Sequence, residues 1–143
     1  MKNTNVNGFS LIELLVVVVI IGIIAAIAVP AFQKGIVAAE NRSVFATMKT
    51  MNSTQAIFFS QKQRFARLDE LNNMTNGLGS VVGDRMIRNK FTFEMSPIVP
   101  TDAELKEGYT ISAVRVTSDQ VFRFELTNSG VQRVLAGSRS DPE

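Results

Sequence analysis

The hydrophobic pattern of the chain begins with one long apolar run from Phe9 to Val29. Glu13 is the only charged side chain in this run. A helix rises about 1.5 Å per residue, so a helix over this run covers roughly the hydrocarbon thickness of a bilayer. The pattern therefore predicts a membrane helix. An acidic side chain inside such a helix costs on the order of 3 kcal/mol, so we expect Glu13 to be kept for a function.

Beyond Pro30 the pattern becomes one-sided, which predicts an amphipathic continuation of the helix over residues 31–60. Pro30 lacks an amide donor and its ring crowds the carbonyl near Ala26, so we expect the helix to bend there rather than end. The apolar stripe consists of Val37, Val44, Met48, Met51 and Phe58, widened by Phe45 and Ile57. The other faces carry Lys34, Glu40, Arg42, Lys49 and Gln55.

The helical pattern weakens near Ser60 and leads into a long connection over residues 61–88. One helical turn is predicted at 67–71, a break at 72–79, and another helical turn at 80–86. The basic patch at 62–67 is expected to be a solvated helix end. Long connections in small domains are often functional surfaces, so we expect this one to be a contact surface.

The last third of the chain alternates apolar and polar residues, which predicts an antiparallel meander of about four strands within residues 89–136. Turns are predicted at 117–120 and 128–130, and the tail at 138–143 is expected to fray. With the amphipathic helix against one face, the predicted fold is α+β with two layers, and residues 61–143 form its head. The inward face of the sheet is predicted to carry Phe91, Phe93, Met95, Tyr109, Ile111, Ala113, Phe122, Phe124 and Leu126.

The amino-acid composition excludes several classes of function. The chain has 143 residues, no His and no Cys, which excludes the usual Ser-His and Cys-His nucleophiles and the common zinc sites. Asp102, Glu104 and Glu107 supply carboxylates that suit calcium, but their spacing matches no known loop, so a solvated connection is favoured. The basic residues are scattered and the net charge is only +2, so no specific nucleic-acid partner is predicted. We expect no enzymatic activity, no cofactor and no bound metal.

The residues around the start of the apolar run resemble a known family. Gly8-Phe9-Ser10-Leu11-Ile12-Glu13-Leu14-Leu15, then Gly22 and the segment 28–32, are similar to the N-termini of type IV pilins and of type II secretion pseudopilins. A cleavable secretory signal fits poorly, because the apolar run is too long and an acid stands at its start. The absence of cysteine departs from the many type IV pilins that close a C-terminal loop with a disulfide.

The resemblance implies an order of processing and assembly steps for the chain. A prepilin peptidase would remove the leader 1–8 by cutting between Gly8 and Phe9, and the new Phe9 amine would be N-methylated. Glu13 of one subunit would pair with the Phe9 amine of a neighbour and set the register of the filament. The helix between Gly22 and Pro30 would either melt in the filament or keep a permanent gentle kink.

The implied partners are copies of the chain itself, the prepilin peptidase, an inner-membrane assembly platform and, before assembly, membrane lipid. The subunit would cross the inner membrane once through residues 9–30 and then enter an extracellular pilus that serves adhesion, surface motility or DNA uptake. A type IV major pilin is favoured, because the head lacks a clear calcium loop and the Tyr-Pro-Thr segment usual in pseudopilins. A pseudopilin and a non-polymerising, membrane-anchored binding domain remain the alternatives.

Overall fold

The computed structural model describes residues 8–117 and 121–134, and the chain divides into two compact units, Met1–Ala39 and Glu40–Glu143. Its main element is helix α1, Leu11–Lys62, which contributes to both units. The helix continues through Pro30 without ending, as the sequence predicts. It ends at Lys62, after which Gln63 has a positive φ of 56°.

The first unit consists, in its described part, of helix and exposed apolar side chains. Leu11, Ile20 and Ile27 are 82%, 51% and 71% exposed, and the large apolar residues between them are similarly open. Among the described residues, α1 is the one helix long and apolar enough to cross a membrane, and none of its most apolar window is buried. An apolar surface of this extent needs apolar surroundings, supplied by lipid or by other protein.

The second unit contains one antiparallel sheet of six strands in the order β1-β2-β3-β4-β5-β6, so each strand pairs with its sequence neighbours. The strands are β1 Ser80–Val82, β2 Arg85–Arg88, β3 Phe91–Met95, β4 Thr110–Val116, β5 Val121–Thr127 and β6 Gly130–Val134. Two short helices, α2 Leu68–Met74 and α3 Glu104–Glu107, lie in the connections. The α+β class is confirmed.

The core of this unit forms where one face of α1 meets one face of the sheet. Helix α1 buries Val44, Met48, Met51 and Phe58, which confirms most of the predicted stripe. From the sheet, the core receives Met86, Phe91, Phe93, Met95, Ile111, Ala113, Phe124 and Leu126, with Tyr109 just before β4. The register places Met86, Phe93, Ala113 and Phe124 side by side across four strands. Inward alternation is therefore confirmed in β3 and, at Phe124 and Leu126, in β5, where Phe122 is only partly buried.

The helix stripe differs from its prediction at Phe45, Ile57 and Gln55, and Val37 is only partly buried. Phe45 and Ile57 do not widen the buried stripe, because they are 38% and 51% exposed. Gln55, predicted on a solvated face, is fully buried. Its side chain bonds both backbone groups of Ala66: Nε2 donates to the carbonyl at 2.9 Å, and the Ala66 N–H donates to Oε1 at 2.6 Å. A side chain that satisfies two buried backbone groups can lie in a core.

The connection 61–88 is more ordered than the sequence indicates. The predicted helical turn at 80–86 is wrong, because this segment forms β1 and β2, and the predicted four strands become six. Gly83, with φ +61°, makes the turn between these two strands. The turn at 67–71 is real but longer, as α2 runs to Met74.

The basic patch at 62–67 is held by ion pairs and does not form a freely solvated helix end. Arg64 bonds the Glu70 carboxylate with both of its terminal nitrogens, at 2.8 and 2.7 Å, and its side chain is 17% exposed. These hydrogen bonds lower the pKa of Glu70 and raise that of Arg64. Arg67 donates to Asp102 at 2.6 Å.

The predicted hairpin turn at 128–130 is confirmed, with Thr127 paired to Gly130 and a Gly130 φ of +111°. The turn at 117–120 falls mostly on residues outside the described part. So do the leader up to residue 7 and the tail at 138–143.

Candidate functional site

The segment that leads into α1 is open to solvent and lies outside regular helix. Gly8, Phe9 and Ser10 precede the first helical residue, Leu11, and Phe9 is 86% exposed. The peptide bond between Gly8 and Phe9 is therefore not part of a hydrogen-bonded helix turn. A protease needs an accessible bond, and both residues that flank this one are exposed.

Glu13 lies in the first turn of α1 and caps it. The backbone N–H of Ser10 donates to Glu13 Oε2 at 2.9 Å, and the N–H of Leu14 donates to the Ser10 carbonyl at 3.2 Å. Ser10 and Glu13 thus form half of a capping box, in which the acid satisfies a backbone donor that the helix leaves free. A carboxylate at this end also interacts favourably with the helix dipole.

The capping bond gives Glu13 a local role that its position in an apolar run alone did not indicate. The spacing Ser-x-x-Glu directly before an apolar run was the signal that identifies it. Glu13 shares a shallow surface depression with Phe9, Ile12, Val16 and Val17. The structure thus brings Phe9 and Glu13 together at one apolar site.

Gly22 and Pro30 are not part of this site. They lie in the continuous helix, about 14 Å and 26 Å beyond Glu13 along its axis at the usual rise per residue. A Cβ added at Gly22 would have no described atom within 4 Å, so packing within the chain does not require glycine there. The roles of these two residues in bending or melting stay predictions.

Two of the three carboxylates considered for calcium, Glu104 and Asp102, are engaged separately. Glu104 accepts the Thr101 N–H and hydroxyl, both at 2.8 Å, and the backbone bond lowers the pKa of Glu104. Asp102 instead pairs with Arg67. Within the ranges 8–117 and 121–134, no group of three potential metal ligands is assembled.

An ionic cluster in the second unit was missed by sequence reasoning. The Glu40 carboxylate accepts from Lys90 at 3.0 Å and from Arg115, and the hydrogen bonds from Lys90 and Arg115 lower the pKa of Glu40. The Arg115 guanidinium lies 5.9 and 5.8 Å from the ring centres of Phe91 and Phe122. This cluster joins α1 to β4 and to the turn before β3.

Comparison with known proteins gives two findings for the chain. The family model described as the prokaryotic N-terminal methylation motif matches residues 3–29. Over 64 residues the chain is 42% identical to the type IV major pilin protein PilA of Myxococcus xanthus (strain DK1622). That match covers 45% of this chain and 29% of the relative, so the chain spans less than a third of that protein's length.

No solved structure matches the chain. The two findings confirm the resemblance to type IV pilins that residues 8–15 indicated.

Proposed function

We propose that this chain is a structural subunit of a type IV pilus and polymerises through its N-terminal helix. The observation that carries the proposal is an exposed apolar helix that begins with a capping Glu13 inside a prepilin-type methylation motif. Lipid accepts such a helix before assembly, and a bundle of identical helices accepts it afterwards. The subunit's role is structural, with no catalytic step of its own.

Processing supplies the second half of the assembly site. Cleavage between Gly8 and Phe9 by a prepilin peptidase creates an amine at Phe9, which is then N-methylated and stays positively charged. Glu13 carries the opposite charge in the same depression. A charge in an apolar surrounding is stabilised by a partner of opposite sign, so the Phe9 amine of a neighbouring subunit pairs with Glu13 as the helices bundle.

The capping bond leaves room for this partner. Ser10 donates to Oε2, and among the described residues no donor bonds Oε1. One oxygen can therefore cap the helix while the other accepts the amine of a neighbour. This arrangement ties the register of the filament to the first turn of each helix.

The decisive experiment separates the two roles of Glu13. Glu13→Gln keeps an oxygen that can accept the Ser10 N–H but removes the charge, whereas Glu13→Ala removes both. We expect both variants to insert in the membrane at normal levels and to give at least ten-fold less filament in sheared material. Val17→Ala, a change in the same depression without a charge, is the control and should assemble normally.

The outcomes distinguish a capping role of Glu13 from charge pairing, and they also test the pilin proposal. Filament at the normal level from Glu13→Gln, together with a loss in Glu13→Ala, would leave capping as the only role and refute the charge pairing. Filaments from wild type whose subunits begin at methylated Phe9, measured by intact mass, would support the pilin proposal. Only uncleaved chain in the inner membrane would refute it.

The finer parts of the proposal rest on the resemblance to type IV pilins. Before assembly the subunit crosses the inner membrane once, and an inner-membrane platform transfers it to an extracellular pilus that serves adhesion, motility or DNA uptake. The helix between Gly22 and Pro30, where a small residue and a missing amide weaken the hydrogen-bond ladder, is the segment that bends or melts in the filament.

A further inference from the structure

The side of α1 that faces away from the core carries positive charge and exposed apolar groups. Arg42, Phe45 and Lys49 are spaced by three and four residues, so they share one face, and all three are exposed. Ile57, 51% exposed, borders the same face. We call these four residues the basic face. The Lys49 ammonium lies 5.0 Å from the Phe45 ring centre, so part of its environment is already apolar.

No acid balances this charge within the helix. Between residues 14 and 62 the sequence contains a single acid, Glu40. Its carboxylate is taken by Lys90 and Arg115. Within the described part of the chain, neither Arg42 nor Lys49 forms an ion pair. Among the residues that the structure describes, the basic face thus has no carboxylate partner, and a second copy of the chain can supply one.

A second surface of the same unit has the opposite character. A cavity of about 200 Å³ lies between α2, the β1–β2 turn and the segment that follows β3. Asp69 and Asp84 line it, both exposed, and neither forms an ion pair with a described side chain. Arg67 also lines it, but its guanidinium is bound to Asp102 and to the Pro100 carbonyl. We call this cavity the acidic pocket.

The rim of the acidic pocket is apolar. Ile98 and Val99 line the pocket and are 47% and 62% exposed, and Leu68 and Met95 form part of its wall. Such a pocket suits a lysine or arginine side chain, because the apolar stem packs on the walls while the charged end reaches carboxylates. The exposed Phe45 and Ile57 of the basic face match the apolar rim.

We propose that the basic face of one copy docks on the acidic pocket of a second copy, with Lys49 directed at Asp69 and Asp84. The inference rests on the proposed pilus function and names a contact between neighbouring heads. The two surfaces are different patches of the same chain, so their pairing is heterologous. A heterologous contact that does not close into a ring generates an open helical filament, which is the geometry that a pilus needs.

The test is a charge reversal and its rescue in cells that produce the full chain. Lys49→Glu and Asp84→Lys each place like charges in the contact, so we expect each to lower sheared filament at least ten-fold at normal membrane levels. The double variant Lys49→Glu/Asp84→Lys restores opposite charges and should recover at least half of the filament. Lys62→Glu changes an exposed lysine outside the basic face and is the matched control.

Cross-linking gives a readout that does not depend on yield. The chain has no cysteine, so Lys49→Cys and Asp84→Cys introduce the only thiols present. Co-produced in one cell and treated with a short bis-maleimide, these two variants should give a covalent dimer. Neither variant alone should give it. Because each thiol stands on a different copy, the product cannot come from within one chain.

The possible failures are distinguishable. Absence of wild-type filament would refute the proposed function before any variant is examined. If the wild type assembles but Lys49→Glu or Asp84→Lys assembles normally, or the double variant stays defective without a cross-link, the docking contact is wrong. A defect confined to Lys49→Glu would assign the basic face to another anionic occupant, such as a lipid headgroup, and would equally overturn it.

Discussion

One continuous helix, α1, contributes to both units of the chain, but it is exposed in the first unit and partly buried in the second. Up to Ala39 the described helix has no core against it, and Ile20 and Ile27 are more than half exposed. From Glu40 onward the same helix buries Met48 and Met51 completely. The first region is therefore stabilised by what surrounds the chain, and the second by the chain's own packing.

The two acids of α1 show the same contrast. Glu13 caps an exposed helix end, and among the described residues no donor bonds its Oε1. Glu40 is fully engaged by Lys90 and Arg115 within its own unit. The acid at the start of the helix thus has an oxygen that the proposed assembly contact can use, whereas the acid in the second unit supports the fold. Mutations in the two regions should accordingly change different measurements.

The largest expected effect is on the stability of the second unit. Phe93 is fully buried at the centre of the sheet, so Phe93→Ala should lower the free energy of unfolding by about 4 kcal/mol through lost burial and the cavity left behind. Urea unfolding of the full chain in detergent measures this. The fluorescence of Tyr109, the single tyrosine of a chain without tryptophan, reports on this unit.

Ile20→Ala is the matched change in the first unit. Ile20 is exposed, so its truncation removes no packing within the chain and should leave the Tyr109 transition unchanged. An equal loss of stability from both variants would contradict the division into two differently stabilised regions.

Sequence patterns predicted the parts of the fold whose signal is local and repeated. Phe91, Phe93 and Met95 alternate with polar residues, and this period of two is readable without knowledge of partners. The β1–β2 hairpin was missed because its strands have three and four residues and form by pairing with β3. The sequence predicted a helical turn at 80–86 instead, and only the tertiary pairing with β3 decides between helix and strand there.

The second prediction concerns Gln55, whose polar side chain lies inside the packed region. Gln55→Leu keeps most of the volume but leaves the Ala66 N–H and carbonyl unpaired and buried. An unpaired buried group costs about 1–3 kcal/mol, so the two together should lower stability by about 3 kcal/mol. Gln61→Leu, at an exposed position in the last turn of α1, is the control and should have little effect. Equal effects at the two positions would show that the Ala66 bonds contribute nothing.

The residues of the candidate site differ in how far a sequence can predict them. Glu13 stands out because an acid is rare in an apolar run. Gln55 and Glu40 do not, because their partners are remote: Ala66 is 11 positions away, Lys90 is 50 and Arg115 is 75. A helical polar residue looks solvated until the chain brings such partners back to it.

The smallest expected effect concerns Glu40, the residue at which the second unit begins. Glu40→Gln removes the charge that neutralises Arg115, whose side chain is 10% exposed, and should lower stability by about 2 kcal/mol at pH 7. Because Lys90 and Arg115 lower the pKa of Glu40 in the folded chain, the ionised form favours folding. This contribution is complete above the unfolded pKa of about 4.3 and is lost as the pH falls through the lowered folded pKa.

The difference in the free energy of unfolding between wild type and Glu40→Gln should therefore be largest near pH 7. It should shrink below about pH 4 as the wild-type carboxyl takes up a proton. Glu70, whose pKa is also lowered, titrates equally in both proteins, so the difference between their unfolding curves isolates Glu40. Urea unfolding monitored through Tyr109 at several pH values measures this difference. If this difference in the free energy of unfolding stays constant down to pH 3, it arises from how Gln packs at this position. The charge of Glu40 would then not hold α1 to β4.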